Sequence, residues 1–502
     1  MTNRFPAVGR GFSPAMYAGP KGPAYVGKYL WLLIGLAVAA AAPAAQEHVT
    51  TPGTLEGRPS KAASSQVQML IDAAAPGATV TIPAGVYDGD LIIDKPIRLI
   101  GHGRPVLRGS GGGSVVRIRA NDVTVVGFDI DGRGGGDLGR DSSGIHVSGY
   151  RAVLRDNAIH DALFGIYLRE ANGAKVENTH VTGIHGRAPG EKGSGIQVWN
   201  TDGFTLQGNT VRDVRDGFYI QSSPNGVITG NMAVDLRYGL HYMFSDDNTF
   251  EDNTFENGAA GAALMYSRRL TFRRNRFVRN RGFASVGLLL KTCDDVIATE
   301  NLIADNARGV FVEGGTRIVF ERNVIAASDE ALVLYDSNTG VRFEGNSFIA
   351  NLSPLHLVGR RTDTVVRGNY WSDHRQPDLD DDGVADRPYR LSSVFDHLRG
   401  NLTAADLFAQ GIAAHAIGAA ERTFPVLDLV PVMDERPLAR APVLPGVPAR
   451  NAAGSTAPSA AGLGMSGAAM IAGAWMSIAS YRGRRFSTMA RRRPKSATGS
   501  FA

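Results

Sequence analysis

The sequence predicts an all-β chain: a right-handed parallel β-helix wound from coils of about 22 residues, with a short N-terminal capping helix and an irregular C-terminal tail. Three observations predict it. One Asn recurs at Asn157, Asn178, Asn209, Asn231, Asn253, Asn275, Asn301, Asn323, Asn346 and Asn369, at intervals of 21, 31, 22, 22, 22, 26, 22, 23 and 23 residues. A second column opens a short apolar run: Gly144-Ile-His-Val, Gly165-Ile-Tyr-Leu, Gly195-Ile-Gln-Val, Gly217-Phe-Tyr-Ile, Gly239-Leu-His-Tyr, Gly261-Ala-Ala-Leu, Gly287-Leu-Leu-Leu and Gly309-Val-Phe-Val. The runs are too short for helices, and Gly, Asn, Asp and Pro bound them as they bound strands.

Each unit holds two such runs, as in Gly217-Phe-Tyr-Ile and Val227-Ile-Thr with Ser222 to Gly226 between them. No coil can bury its apolar face alone, so stacking supplies the core. The recurring Asn sits at a turn, where it tolerates left-handed backbone angles. Its amide both donates and accepts, so Asn209, Asn231, Asn253, Asn275, Asn301 and Asn323 are expected to form a structural ladder of hydrogen bonds.

In chain order, residues 1–45 read as a signal peptide. Four basic residues and no acid precede an apolar run from Tyr29 to Ala42, and Ala42-Pro-Ala44 follows at the cleavage point. Residues 46–64 are a linker. Ser65 to Ala75 predicts a helix with Val67, Leu70, Ile71 and Ala74 on one face, covering the first coil. The β-helix domain spans 65–395. Its intervals of 31 and 26 place insertions around His185 to Gly193 and Phe283 to Val286; insertions in solenoids gather on a functional face. Residues 396–450 are a C-terminal extension with a helix over Ala404–Ala414. Residues 451–502 form a low-complexity tail in which 461–480 is a candidate membrane span followed by seven basic residues.

Charge narrows the function. Of 53 Lys and Arg, eleven lie in the two ends, leaving 42 basic against 48 acidic side chains in the middle. The rod is therefore not a basic nucleic-acid platform. Cys293 is the sole cysteine, so the chain forms no internal disulfide.

Strand alternation puts His146, Tyr167, Gln197, Tyr219, His241, Ala263, Leu289 and Phe311 on the outer face. Apolar side chains there suggest a docking surface, with Tyr167, Trp199, Tyr219, Leu289 and Phe311 as candidate partner-binding residues. His241 and Met243, with Met265 one coil on, bring imidazole and thioether together, soft donors that suit copper(I). Asp378, Asp380, Asp382, a Gly at the sixth position and Asp386 at the ninth copy most of an EF-hand loop. They are a candidate calcium site, although the twelfth position is Tyr389 rather than Glu. Carbohydrate-active β-helix enzymes need clustered carboxylates on one outer sheet. Here Glu170 and Glu313 stand many coils apart, so no catalytic residues are assigned.

Several stretches resemble the NosD family. Gly368-Asn-Tyr-Trp-Ser-Asp373 with the aspartate loop is similar to the end of its β-helix, and Pro83-Ala-Gly-Val-Tyr-Asp-Gly89 to its first coil. Gly239-Leu-His-Tyr-Met-Phe-Ser245, Ala263-Leu-Met-Tyr-Ser267, Gly287-Leu-Leu-Leu-Lys291 and Gly309-Val-Phe-Val312 look like its core coils. The resemblance covers roughly residues 65 to 400. It implies a periplasmic, non-enzymatic accessory protein that helps assemble the copper site of nitrous oxide reductase. It implies as partners an ABC-type ATPase and permease, the reductase and a copper chaperone. Two other readings stand beside it: a secreted carbohydrate-active lyase or epimerase, and a cell-surface adhesive rod.

Overall fold

The computed structural model describes residues 65–136, 138–359, 362–374, 376–391 and 432–442. The expected signal peptide, linker, 404–414 helix and C-terminal tail lie outside the described residues. Among those described, no helix is long and apolar enough to cross a membrane.

The described chain is a parallel β-solenoid of about 13 turns. Each regular coil carries three strands rather than the expected two. In one coil they are Asp216–Gln221, Val227–Thr229 and Met232–Val234. The third strand is only three residues long and follows the recurring Asn directly, so it reads in sequence as part of the turn. Third strands stack into a 13-stranded sheet. First and second strands share a 23-stranded sheet, because Ala260–Arg273 and Val286–Thr299 run through both without a break. Register is in phase from coil to coil: Phe218 pairs with Leu240, Leu240 with Ala262, and Ala262 with Leu288.

One short helix, Gln66–Ala73, covers the first coil. Ser65 caps it by accepting from the Gln68 amide. Val67 and Ile71 are buried, whereas Leu70 lies one step round the helix and is exposed. The Gln68 side chain donates to the Ile92 carbonyl and accepts from the Ile92 amide, standing in for the strand that the first coil lacks.

The Asn ladder forms as expected. Nδ2 of Asn209, Asn231, Asn253, Asn275, Asn301 and Asn323 donates to Oδ1 of the next Asn at 2.9–3.0 Å. The same Nδ2 donates to a carbonyl of the preceding coil, and each Oδ1 also accepts a backbone amide, as Asn253 does from Asn231 N. Both donors and both lone pairs of the amide are thereby used. The left-handed residue, however, is the one before the Asn: Gly208, Gly230, Asp252, Arg274, Glu300 and Arg322 carry φ of 52–65°. Asn178 is the exception. It takes the left-handed place itself at φ 49°, and buried Thr179 fills the ladder position, its amide donating to Asn209.

Inside, rings stack along the axis: Phe250 on Phe272 at 4.5 Å, Phe320 on Phe343 at 4.7 Å, Phe348 on Trp371 at 4.1 Å. Each such pair adds about 1 kcal/mol beyond the area it buries. Thr201, Ser223, Ser245 and Ser267 make a second ladder at the next corner, each hydroxyl accepting an amide of the coil before. Cys293 pairs with Ser267 and occupies the following rung. It is a fully buried structural thiol, and burial pushes it up to about 12.

Candidate functional site

The outer face of the first strands is set by an irregularity at each glycine. A Cβ on Gly217 would lie 2.8 Å from Ala233 Cβ and 3.0 Å from Leu236, both interior residues. Gly217 and Phe218 therefore both turn inward, and Asp216 comes round to the outer face. Each coil then presents three outward columns, one before the glycine, one two residues after it and one four residues after it.

In the middle column His146, Tyr167, Gln197, Tyr219, His241, Ala263, Leu289 and Phe311 are successive register partners, as alternation predicts. Tyr167 offers a partner little surface. It is 6% exposed, stacked on His146 at 5.2 Å, and burial pushes its hydroxyl up to about 12. His146 is 8% exposed, and neither ring nitrogen has a hydrogen-bond partner among the described residues. Burial and the charges of Arg117, Arg169 and Arg119 bring it down to about 4. Trp199 lies half-buried under the Arg169 guanidinium at 5.2 Å. The insertion around His185 folds back here: Lys192 and His185 both bind the Asp213 carboxylate, and Arg187 donates to the Gly134 carbonyl.

The centre of the face is a constellation the sequence reading missed. Asp216 is completely buried. Arg237 grips its carboxylate with two hydrogen bonds of 2.8 and 2.6 Å, Arg215 approaches at 3.3 Å and His241 Nδ1 at 3.4 Å. Burial acts to raise the carboxyl, but the hydrogen bonds from His241 and Arg237 overcome it and hold Asp216 far below the usual carboxylate range. His241 is enclosed edge-on by Tyr219 at 4.8 Å and Tyr238 at 5.1 Å, and the Arg237 guanidinium lies over Tyr238. The Tyr219 hydroxyl donates to Gln221.

Beside His241, Met243 and Met265 are direct register partners on adjacent coils. The structure thus brings the three soft donors onto one small area of one face. Next to them Phe244 and Tyr266 stack at 5.1 Å, both exposed and both left-handed. Further along, Leu289 and Phe311 pack with Tyr238 against buried Ala260, Ala263 and Val286. The second insertion holds out Phe283, 99% exposed.

Glu170 and Glu313 do not cooperate. They belong to coils six rungs apart, about 29 Å at the usual strand spacing. Glu313 instead pairs with Lys291 at 3.1 Å.

In the aspartate loop, Asp378, Asp380 and Asp382 turn carboxylate oxygens to within 4.8 Å of one another. Asp386 does not join them in that group: its Oδ2 accepts the Leu379 amide at 3.0 Å. Tyr389 stacks on Trp371 at 4.5 Å and its hydroxyl donates to Asp373, so the twelfth position closes the end of the rod.

The family described as "Periplasmic copper-binding protein (NosD)" matches residues 177–376. A "Probable ABC transporter binding protein NosD" from Stutzerimonas stutzeri is 30% identical over 72% of this chain and 86% of its own. A protein of the same description from Pseudomonas aeruginosa is 32% identical over 72% of this chain and 88% of its own. Among solved structures, the A-module of the Azotobacter vinelandii mannuronan C-5 epimerase AlgE6 superposes with a TM-score of 0.51 at 18% identity, covering 61% of this chain and 94% of that one. That last likeness is one of fold alone. With relatives at this identity over 72% of its length, the chain is a member of the NosD family.

Proposed function

We propose that this chain is a periplasmic accessory protein that holds copper(I) in transit during assembly of the copper site of nitrous oxide reductase. It works with an ABC-type ATPase and permease, receives the metal from a copper chaperone, and turns over no substrate of its own. The observation that carries the reading is the Met243–Met265 register pair beside His241. An imidazole and two thioethers are soft, uncharged donors suited to copper(I). No thiolate joins them, since Cys293 is buried in the ladder. A site without thiolate binds less tightly, which suits hand-over.

The half-buried apolar strip of Leu289 and Phe311, the Phe244–Tyr266 stack and Phe283 form the surface to which the partners dock. Asp378, Asp380 and Asp382 hold a structural calcium ion. Copper(I) titration of wild type and of a His241→Ala, Met243→Ala double variant tests the site; equal affinity would remove it. Affinity capture from a denitrifying host should recover ATPase and permease subunits.

A second reading, a carbohydrate-active enzyme, draws on Tyr219, Tyr238, His241 and Arg237 sharing one face. Asp216 and Arg237 are closed on each other, however, which occupies the guanidinium a uronate would require.

A further inference from the structure

We propose that Asp216 is a positioning residue for the copper(I) site: clamped by Arg237, its carboxylate holds His241 as the Nδ1–H tautomer and leaves Nε2 to bind the metal. This rests on the reading of His241, Met243 and Met265 given above.

A carboxylate accepts hydrogen bonds and donates none. The ring nitrogen that faces Asp216 Oδ2, Nδ1 at 3.4 Å, therefore carries the proton. A neutral imidazole has one N–H, so the lone pair is on Nε2. Carboxylate–histidine–metal arrangements work in this way, the outer carboxylate fixing tautomer and ring orientation.

The columns set the direction. Across the face the order is Asp216, then His241, then Met243, so the imidazole edge turned away from Asp216 lies toward the methionine column. The rings of Tyr219 and Tyr238 both meet the imidazole edge-on and limit its rotation. Arg237 has two separate effects. Its two hydrogen bonds fix the carboxylate plane, and its charge cancels that of Asp216. The clamp thus orients the ligand without adding a net anion that would retain the cation, in keeping with a site that must release its metal.

The test uses the full chain. In metal-free protein carrying ¹⁵N-histidine, His241, assigned by loss of its signals in His241→Gln, should show the Nδ1–H pattern. An Nε2–H pattern, or rapid averaging of the two, overturns the proposal and needs no clamp variant to fold. Copper(I) affinity is then measured by competition with bicinchoninate. Asp216→Asn should weaken binding about 10- to 100-fold and shift the His241 nitrogen signals toward a tautomer mixture. If Met243→Leu and His241→Ala weaken binding while Asp216→Asn does not, the clamp is wrong and the copper site stands. If His241→Ala binds copper(I) as wild type does, the copper reading itself falls, and the positioning role falls with it.

Discussion

The Asn369 side chain donates to Asp434 Oδ2 at 3.1 Å, so the column of stacked amides ends on a carboxylate. The same carboxylate accepts the backbone amides of Gly368 and Asn369 and the Trp371 indole N–H. Asp434 arrives on the short strand Met433–Asp434, which pairs antiparallel with Tyr389–Arg390.

Asp434→Ala leaves five buried or half-buried donors without this acceptor, the Arg436 amide being the fifth. At about 1–3 kcal/mol for each unsatisfied group, partly recovered by water, a net loss of roughly 3–5 kcal/mol is expected. Because the damage is at one end, hydrogen exchange should speed up first around Asn346 to Trp371. Asn253→Ala, in mid-column, should instead lower protection on both sides.

His146 makes stability depend on pH. Its unfolded pKa is near 6.5 and its folded value about 4. As pH falls, the unfolded chain takes the proton first. The contribution is complete above 6.5, shrinks between 6.5 and 4, and amounts to about 3 kcal/mol lost below that window. Urea titrations of wild type and His146→Phe at pH 7 and pH 4.5 should differ in slope, with the variant the flatter. Asp216 acts in a separate window, losing its contribution only as pH falls below the ordinary carboxylate value.

Cys293 should be inert in the native state and reactive on unfolding. Its thiol is buried and pushed up to about 12. A chromogenic disulfide reagent should label it only in denaturant. Cys293→Ser continues the Ser267 rung and should cost less than about 1 kcal/mol, whereas Cys293→Leu overpacks the corner and should cost about 1–3 kcal/mol.

Calorimetry with calcium checks the aspartate loop. Asp380→Asn should abolish the binding heat, because Asp380 belongs to the group of three converging carboxylates. Asp386→Asn should change it little, because that carboxylate is engaged with the Leu379 amide. Equal heats from Asp380→Asn and wild type would exclude the site.

The coil, its period and the outward middle column were legible because each repeats with one residue type in one place. The left-handed corner was not, because Gly, Asp, Arg and Glu share it and only the backbone angle is common to them. The third strand was hidden by its length of three residues. Asp216 was missed for a sharper reason. Strict alternation sends the residue before the glycine inward, and the local turn at Gly217 reverses that. The Met243–Met265 pair could be read in advance because no such break lies between Gly239 and Met243. One signal was present in the sequence: Asp216 is the only acid before a glycine in the column from Ser143 to Val286, and Arg237 follows one period later.

From Asn209 to Asn346 each Asn side chain gives one N–H to the Asn of the coil that follows and the other to a backbone carbonyl of the coil before, so every side-chain-to-side-chain bond in the column points the same way. The amide dipoles are therefore aligned from Asn209 to Asn369, and that stretch of the rod has a direction. Its last position accepts only, which removes the donor that a further rung would need. The column of amides is thus closed by a carboxylate, which offers no side-chain donor to a further rung.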